Sequence, residues 1–358
     1  MNGYILGDIR PSPAPLTAIA LQDIIARAHE MKREVAAVPQ AYLLELLDRV
    51  GRAWSDPSYP CRQEALSRLP DLIGFSPAMI EQGIGVMVDL TRRENMLTRL
   101  ACDLGDPRSL DDWVFDARFR GFIKAQPIGV VAHVSAGNVF VGGVDTLIQG
   151  IVTQNVNLMK MSSVDPLFPV LFARSLRDHD ERGVIARSLA LLSWKGGDRE
   201  IEGVLKRECN AIVVYGGAET VRSYREGLGL HTRLVEYGPK YSLVLVARDE
   251  LGRRGLDACA RLIARDAVMW EQSACSSPHV VYVEGLETAR KLMAALAAAF
   301  GYWASEIPPG RLSDDEAVEI TKVREMAKVE KAMGKGDLLH AAGTEWTLVL
   351  RQDPAFET

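Results

Sequence analysis

The feature that most constrains this chain is a change of texture near Pro127. Upstream, apolar residues recur at helical spacing, through Leu21, Ile24, Ile25 and Ala28 and again through Leu43, Leu46, Leu47 and Val50. Downstream, short β-rich runs alternate with segments long enough for crossover helices; the runs fall at 128–134, 157–161, 188–194, 211–215, 242–247 and 279–283. Parallel neighbours cannot be joined by a tight turn and need such a crossover. The rhythm therefore predicts an α/β fold with a largely parallel, doubly wound sheet. Ligands in such sheets bind beyond the carboxyl ends of the strands. The loops after Val134, Met161 and Tyr215 are thus where chemistry is expected. Pro11, Pro13 and Pro15 suggest an extended lead-in, and Ser76-Pro77 an N-cap with proline at the first helical position.

The 358 residues suit two domains or one elaborate α/β unit, and 47% hydrophobic residues allow a substantial core. A formal net charge of −5, with basic and acidic residues interleaved, speaks against nucleic-acid binding, which needs a clustered basic face. The five cysteines (Cys61, Cys102, Cys209, Cys259, Cys275) are scattered, with no Cys-x-x-Cys pair. Neither a metal site nor a disulfide framework is expected, and reduced thiols in the cytoplasm are the simpler reading. Residues 1–10 lack a signal-peptide pattern, and no stretch has the length and apolarity of a membrane span.

Five local features could carry chemistry. Cys275, in Trp270-Glu-Gln-Ser-Ala-Cys-Ser-Ser-Pro278, has small neighbours that leave a thiol open to substrate; a buried structural cysteine fits the same context. Asn138, in His133-Val-Ser-Ala-Gly-Asn138, could donate its amide to an oxyanion or cap the next helix. Lys160 ends a β-run, where it could hold a ribose or phosphate or simply be solvated. Gly216 and Gly217 form a strand-to-helix turn that lets backbone approach a phosphate, or an ordinary tight connection. Glu236, in Glu236-Tyr-Gly-Pro-Lys240 and ahead of a turn and a strand, could be a general base or a surface charge.

Taken in order, these features resemble the aldehyde-dehydrogenase superfamily, most of all its acyl-CoA and acyl-protein reductase branch, which includes the fatty acid reductase of bacterial luminescence. The matching segments are His-x-x-Ala-x-Asn at His133 to Asn138, Glu-aromatic-Gly-Pro-Lys at Glu236 to Lys240, and Gln-x-x-Cys-x-Ser at Gln272 to Ser277. The resemblance implies a Rossmann-type cofactor domain with N-terminal helices over residues 1–235. It implies a second α/β catalytic domain over 236–358, C-terminally incomplete relative to the family. It assigns Cys275 as nucleophile, Asn138 with the Cys275 N–H as oxyanion hole, and Glu236 as the active-site carboxylate. Lys160 would bind the adenosine ribose, Gly216 and Gly217 would lie beside the pyrophosphate, and Gly238 near the nicotinamide. Where NAD-preferring relatives carry a glutamate three residues after the lysine, this chain has Ser163, so NADP(H) is expected over NAD(H). Phe140 stands where relatives have a proline.

The implied activity is reduction of an acyl-CoA or acyl-protein thioester to the aldehyde through an acyl-cysteine, with an acyl-transferring enzyme as a possible partner and no metal. Subunit association is expected for a complete catalytic domain. Oxidation of aldehydes to acids or acyl-CoA, reduction of an acyl phosphate, and an inactive subunit binding acyl-protein partners are the alternatives.

Overall fold

The computed structural model describes residues 3–10 and 15–352. Pro11 and Pro13 of the expected lead-in lie outside these, as do residues 353–358. Two short strands, β1 (Gly3–Ile5) and β2 (Asp8–Arg10), precede five helices: α1 (Ala18–Ala36), α2 (Gln40–Ser55), α3 (Pro60–Ile73), α4 (Pro77–Thr91) and α5 (Arg93–Leu104). Leu21, Ile24, Ile25 and Ala28 form the buried stripe of α1, and Leu43, Leu46, Leu47 and Val50 that of α2, as their spacing requires. Ser76 accepts the Met79 N–H at 3.2 Å ahead of Pro77, the expected cap.

A hairpin of β3 (Val114–Asp116) and β4 (Gly121–Ile123) exposes Trp113, Phe115, Phe119 and Phe122. The alternating part follows: β5 (Val130–Val134), α6 (Phe140–Val152), β6 (Val156–Lys160), α7 (Phe168–His179), α8 (Val184–Arg187), β7 (Leu189–Leu192), α9 (Arg199–Glu208), β8 (Ala211–Tyr215), α10 (Ala218–Arg225) and β9 (Arg233–Tyr237). One seven-stranded sheet results, in the order β2-β1-β7-β6-β5-β8-β9, parallel from β7 to β9 and antiparallel at the β1 and β2 edge. Strand β5 is buried throughout, as a strand covered on both faces must be. Right-handed crossovers put α6 and α7 on one face and α9 and α10 on the other. The winding reverses between β5 and β8, so the switch-point crevice opens beyond their carboxyl ends.

The remaining elements are β10 (Ser242–Val246), α11 (Arg248–Arg254), α12 (Leu256–Val268), β11 (Pro278–Val283), α13 (Leu286–Glu306), α14 (Asp314–Ala332), β12 (Gly336–His340) and β13 (Thr347–Arg351). Strands β10 and β11 pair in parallel, and β12 and β13 form a hairpin. Ala260, Ile263 and Ala264 of α12 pack with Leu292, Leu296 and Ala299 of α13 around Val246.

The chain divides into two compact units, Met1–Leu72 with Gln82–Pro239, and Ile73–Glu81 with Lys240–Thr358. The expected boundary at 235/236 falls inside β9. Glu236 lies within that strand, whose residues pair with β8 up to Tyr237, and a turn and β10 follow it as expected.

Candidate active site

In the first unit the candidate residues gather at the carboxyl ends of the parallel strands. The loop after β5 is fastened to the end of β6: the backbone N–H and hydroxyl of Ser135 both donate to the Lys160 carbonyl, at 3.2 and 3.0 Å. Gly137 is needed there, since a Cβ would stand 2.3 Å from Ser162 Oγ. Asn138 follows, exposed, and does not occupy the cap position of α6, which is Val139. Phe140, at the family's proline position, is buried edge-on against Phe168 with ring centroids 4.7 Å apart.

Beneath this loop His133 is fully buried. Its Nδ1 lies 2.7 Å from Thr146 Oγ1 and its Nε2 3.0 Å from Asn157 Oδ1. An amide oxygen only accepts, so Nε2 donates and Nδ1 takes the Thr146 hydroxyl proton. Burial pulls the imidazole pKa down to about 4, against a smaller upward pull from Asn157, so the ring is neutral. The network closes over Gly150, where a Cβ would meet Asn157 Oδ1 at 1.8 Å. His133 thus braces β5, β6 and α6 instead of facing substrate.

Lys160 ends β6 half-buried, its ammonium 5.6 Å from the centre of the Trp194 ring. Burial lowers its pKa and Glu202 offsets part of this. Trp194 Nε1 beside it is buried with no hydrogen-bond partner among the described residues. Ser163 is exposed on the following loop. Gly216 donates to the Tyr237 carbonyl at 3.3 Å, and Gly217 occupies the α10 cap position with open space where a side chain would be. A cation, an orphaned indole N–H and an unobstructed helix start are groups a dinucleotide can use for its ribose and phosphates, so the residues present fit a nicotinamide cofactor.

Glu236 faces α10. Its carboxylate takes a forked ion pair from Arg225, Nε to Oε1 at 2.9 Å and Nη2 to Oε2 at 2.5 Å, and the guanidinium holds the carboxyl below its usual range. The pair borders a cleft of about 380 Å³ that also includes Arg222 and Gly238. Tyr215 and Tyr237, at the ends of β8 and β9, stack with centroids 4.4 Å apart. A second cavity of about 380 Å³, lined by Met96, Leu100, Ile148 and Val152, lies at the far end of α6 from Asn138.

In the second unit Cys275 is exposed in the turn between α12 and β11. The turn is built around an unusual backbone: Trp270, Glu271 and Gln272 all have left-handed φ, at 61, 51 and 60°. Non-glycine residues enter that region at roughly 1–2 kcal/mol each, so surrounding contacts must hold them there. Trp270 is buried against Phe75. Glu271 accepts the Gly310 N–H at 2.7 Å, and Gln272 donates to the Pro278 carbonyl at 3.0 Å. Ser277 Oγ donates to the Met269 carbonyl and Ser242 Oγ to that of Cys275. The thiol is therefore presented on a turn tied at both ends. Cys61, Cys209 and Cys259 are buried and Cys102 is exposed on α5. Among the described residues there is no cluster of three or more His, Cys, Asp or Glu suited to a metal, and no helix long and apolar enough to cross a membrane.

Solved aldehyde dehydrogenases share this fold. Aldehyde dehydrogenase 21 of Physcomitrella patens matches with a TM-score of 0.72 at 14% identity, over 97% of this chain and 75% of that one. A mutant of aldehyde dehydrogenase C from Pseudomonas syringae, complexed with NAD+ and octanal, gives 0.68 at 15%, over 98% and 74%. The architecture is thus that of an aldehyde dehydrogenase. Within that class, residues 35–356 match the family model described as acyl-CoA reductase (LuxC), and the chain belongs to that family. Long-chain acyl-protein thioester reductases are similar: that of Photobacterium phosphoreum is 25% identical over 86% of this chain and 61% of its own length, that of Aliivibrio fischeri 26% over 78% and 57%. The chain spans about three fifths of the length of these relatives.

The structure brings Asn138, Lys160, Gly216 and Gly217 to one rim, places Glu236 and Gly238 beside α10, and sets Cys275 in the second unit. Sequence reading did not single out Trp194, Arg222 or Arg225. Trp194 was reachable, since it closes the run beside the one ending at Lys160. The arginines carried no comparable signal, being two among many on amphipathic helices.

Proposed function

We propose that the chain carries a thioester reductase site, in which Cys275 takes an acyl group from acyl-CoA or an acylated protein and releases it as aldehyde. The thiolate would attack the thioester carbonyl, and Asn138 with the Cys275 N–H would stabilise the oxyanion, an effect of roughly 3–4 kcal/mol per donor in comparable sites. Departure of the donor thiol leaves an acyl-cysteine. A bound reduced nicotinamide cofactor supplies hydride. Lys160, Trp194, Gly216 and Gly217 would hold it, with Ser163 adding no carboxylate that would repel a 2′-phosphate, so NADP(H) is favoured. Glu236 would handle a proton, and an acyl-transferring protein would deliver substrate.

The observation that carries this reading is the convergence of Asn138, Lys160 and Gly216 on the rim where the sheet's winding reverses, together with an exposed Cys275 on a braced turn. The test is intact-mass measurement after exposure to acyl-CoAs of several lengths, with and without NADPH. The wild-type chain should gain one acyl mass at Cys275 and lose it as aldehyde when NADPH is added. A Cys275→Ala protein that still became acylated and still made aldehyde would sink the proposal.

A further inference from the structure

We infer that Arg225 is a positioning residue that sets the fate of the acyl-enzyme: its forked ion pair with Glu236 withholds that carboxylate from water and reserves the thioester for reduction. The inference rests on the assignments of Cys275 and Glu236 proposed above. Both Glu236 oxygens are engaged, each by a separate guanidinium nitrogen. A general base must turn a free lone pair towards the water it activates, and the fork occupies the directions in which the carboxylate accepts best. The arrangement is built in by the fold. Arg225 closes the last turn of α10, Val221 and Tyr224 of that helix are buried, and Glu236 sits inside a strand whose register is fixed by β8. The adjoining cleft gives water room to reach the pair.

Two reactions compete for the acyl-cysteine. In hydrolysis, water oxygen bonds to the carbonyl carbon, Glu236 takes the water proton, the C–S bond breaks, and the proton passes to the thiolate; acid and thiol result, with no change of oxidation state. In reduction, hydride from a reduced nicotinamide adds to the same carbon, the C–S bond breaks, and the thiolate takes a proton; aldehyde and thiol result and the nicotinamide is oxidised. Only the first needs Glu236 to turn a free lone pair towards water. Exposed ion pairs shift such equilibria by about two- to five-fold, and the Arg225 side chain is 67% exposed.

The test uses the full chain acylated with tetradecanoyl-CoA and no nicotinamide, following loss of the acyl-enzyme by intact mass and release of fatty acid from pH 5 to 8. Arg225→Met should hydrolyse its acyl-enzyme about two- to five-fold faster than wild type. The acid limb of the profile should move to higher pH, because a carboxylate freed of its cation is a stronger base. Arg225→Lys, which keeps the charge but not the fork, should fall between, and adding Glu236→Gln to Arg225→Met should remove the gain. Unchanged or slower hydrolysis in a normally acylated Arg225→Met, or a gain that survives Glu236→Gln, overturns the inference and leaves the thiol assignment standing. Failure of the wild type to acylate at Cys275 overturns the assignment itself, and the inference with it; this shows in the mass spectrum before any hydrolysis is timed.

Discussion

Replacing Asp165 by asparagine is expected to change how stability depends on pH, beyond any constant offset. Asp165 is buried at the start of α7, where its carboxyl accepts the N–H groups of Leu167 and Phe168 at 3.2 and 2.9 Å. Burial outweighs those bonds and pushes the pKa from 3.8 up to about 6. The folded chain then holds this proton more tightly than the unfolded one. The stabilisation is complete below pH 3.8 and is lost as pH rises through 6. A difference of about 2.2 pKa units corresponds to about 3 kcal/mol. His133 works the other way. Its folded pKa of about 4 against 6.5 means the unfolded chain binds the proton first, so stability is lost as pH falls from 6.5 through 4, again by about 3 kcal/mol.

Between pH 4 and 6 the two slopes oppose, and this pair leaves the wild-type curve nearly level. Asp165→Asn should unmask His133. The stability of the variant relative to wild type should climb by about 2 kcal/mol from pH 3.8 to 6, most of the full span of about 3, with a slope no steeper than about 1.4 kcal/mol per pH unit. Urea unfolding of both proteins from pH 3.5 to 7 measures it, and taking the difference removes every other titrating group. A difference constant to within about 0.5 kcal/mol would show that Asp165 is ionised in the fold and that its burial is compensated.

Other substitutions test the remaining structure. Gly150→Ala drives a Cβ into Asn157 and breaks the His133 bracket, so it should cost about 2–4 kcal/mol, read as a drop in thermal midpoint. Trp270→Ala removes the buried anchor of the left-handed turn. It should cost about 3–5 kcal/mol and speed alkylation of Cys275 by iodoacetamide; an unchanged rate would show that the turn holds without it. Lys160→Met should weaken NADPH binding by about ten- to a hundred-fold, the worth of a charge-assisted hydrogen bond, in a fluorescence titration.

The central sheet was legible because burial on both faces forces continuous apolar runs; each of the six expected runs overlaps an observed strand, four of them in the central sheet and two in the β10–β11 pair. Strand β9 was not among them. Its Arg233-Leu-Val-Glu-Tyr237 alternates exposed and half-buried residues at a sheet edge, a pattern a surface loop shares. The β3–β4 and β12–β13 hairpins, mostly half-buried or exposed, were missed for the same reason, and exposed aromatics on β3 and β4 do not mark a core. At the site, positions fixed by backbone contact could be read: Lys160 at a strand end, Gly216 and Gly217 at a strand-to-helix turn.

What depends on tertiary contact could not be read. Trp270-Glu-Gln272 contains neither glycine nor asparagine, so nothing local marks it as left-handed; the conformation exists because Phe75, Gly310 and Pro278 each hold one of the three residues. Glu236 shows the same limit in chemistry. Its residue type allows a general base, and its place in a recurring segment suggests one, but its basicity and reach depend on a guanidinium eleven residues upstream on a different element. The identity of a catalytic group is therefore written locally, whereas its availability is set by the helix that packs against it. If Glu236 has the proposed role, two chains with the same ordered motif would differ by about two- to five-fold in how fast water competes for the acyl group, according to what stands at position 225.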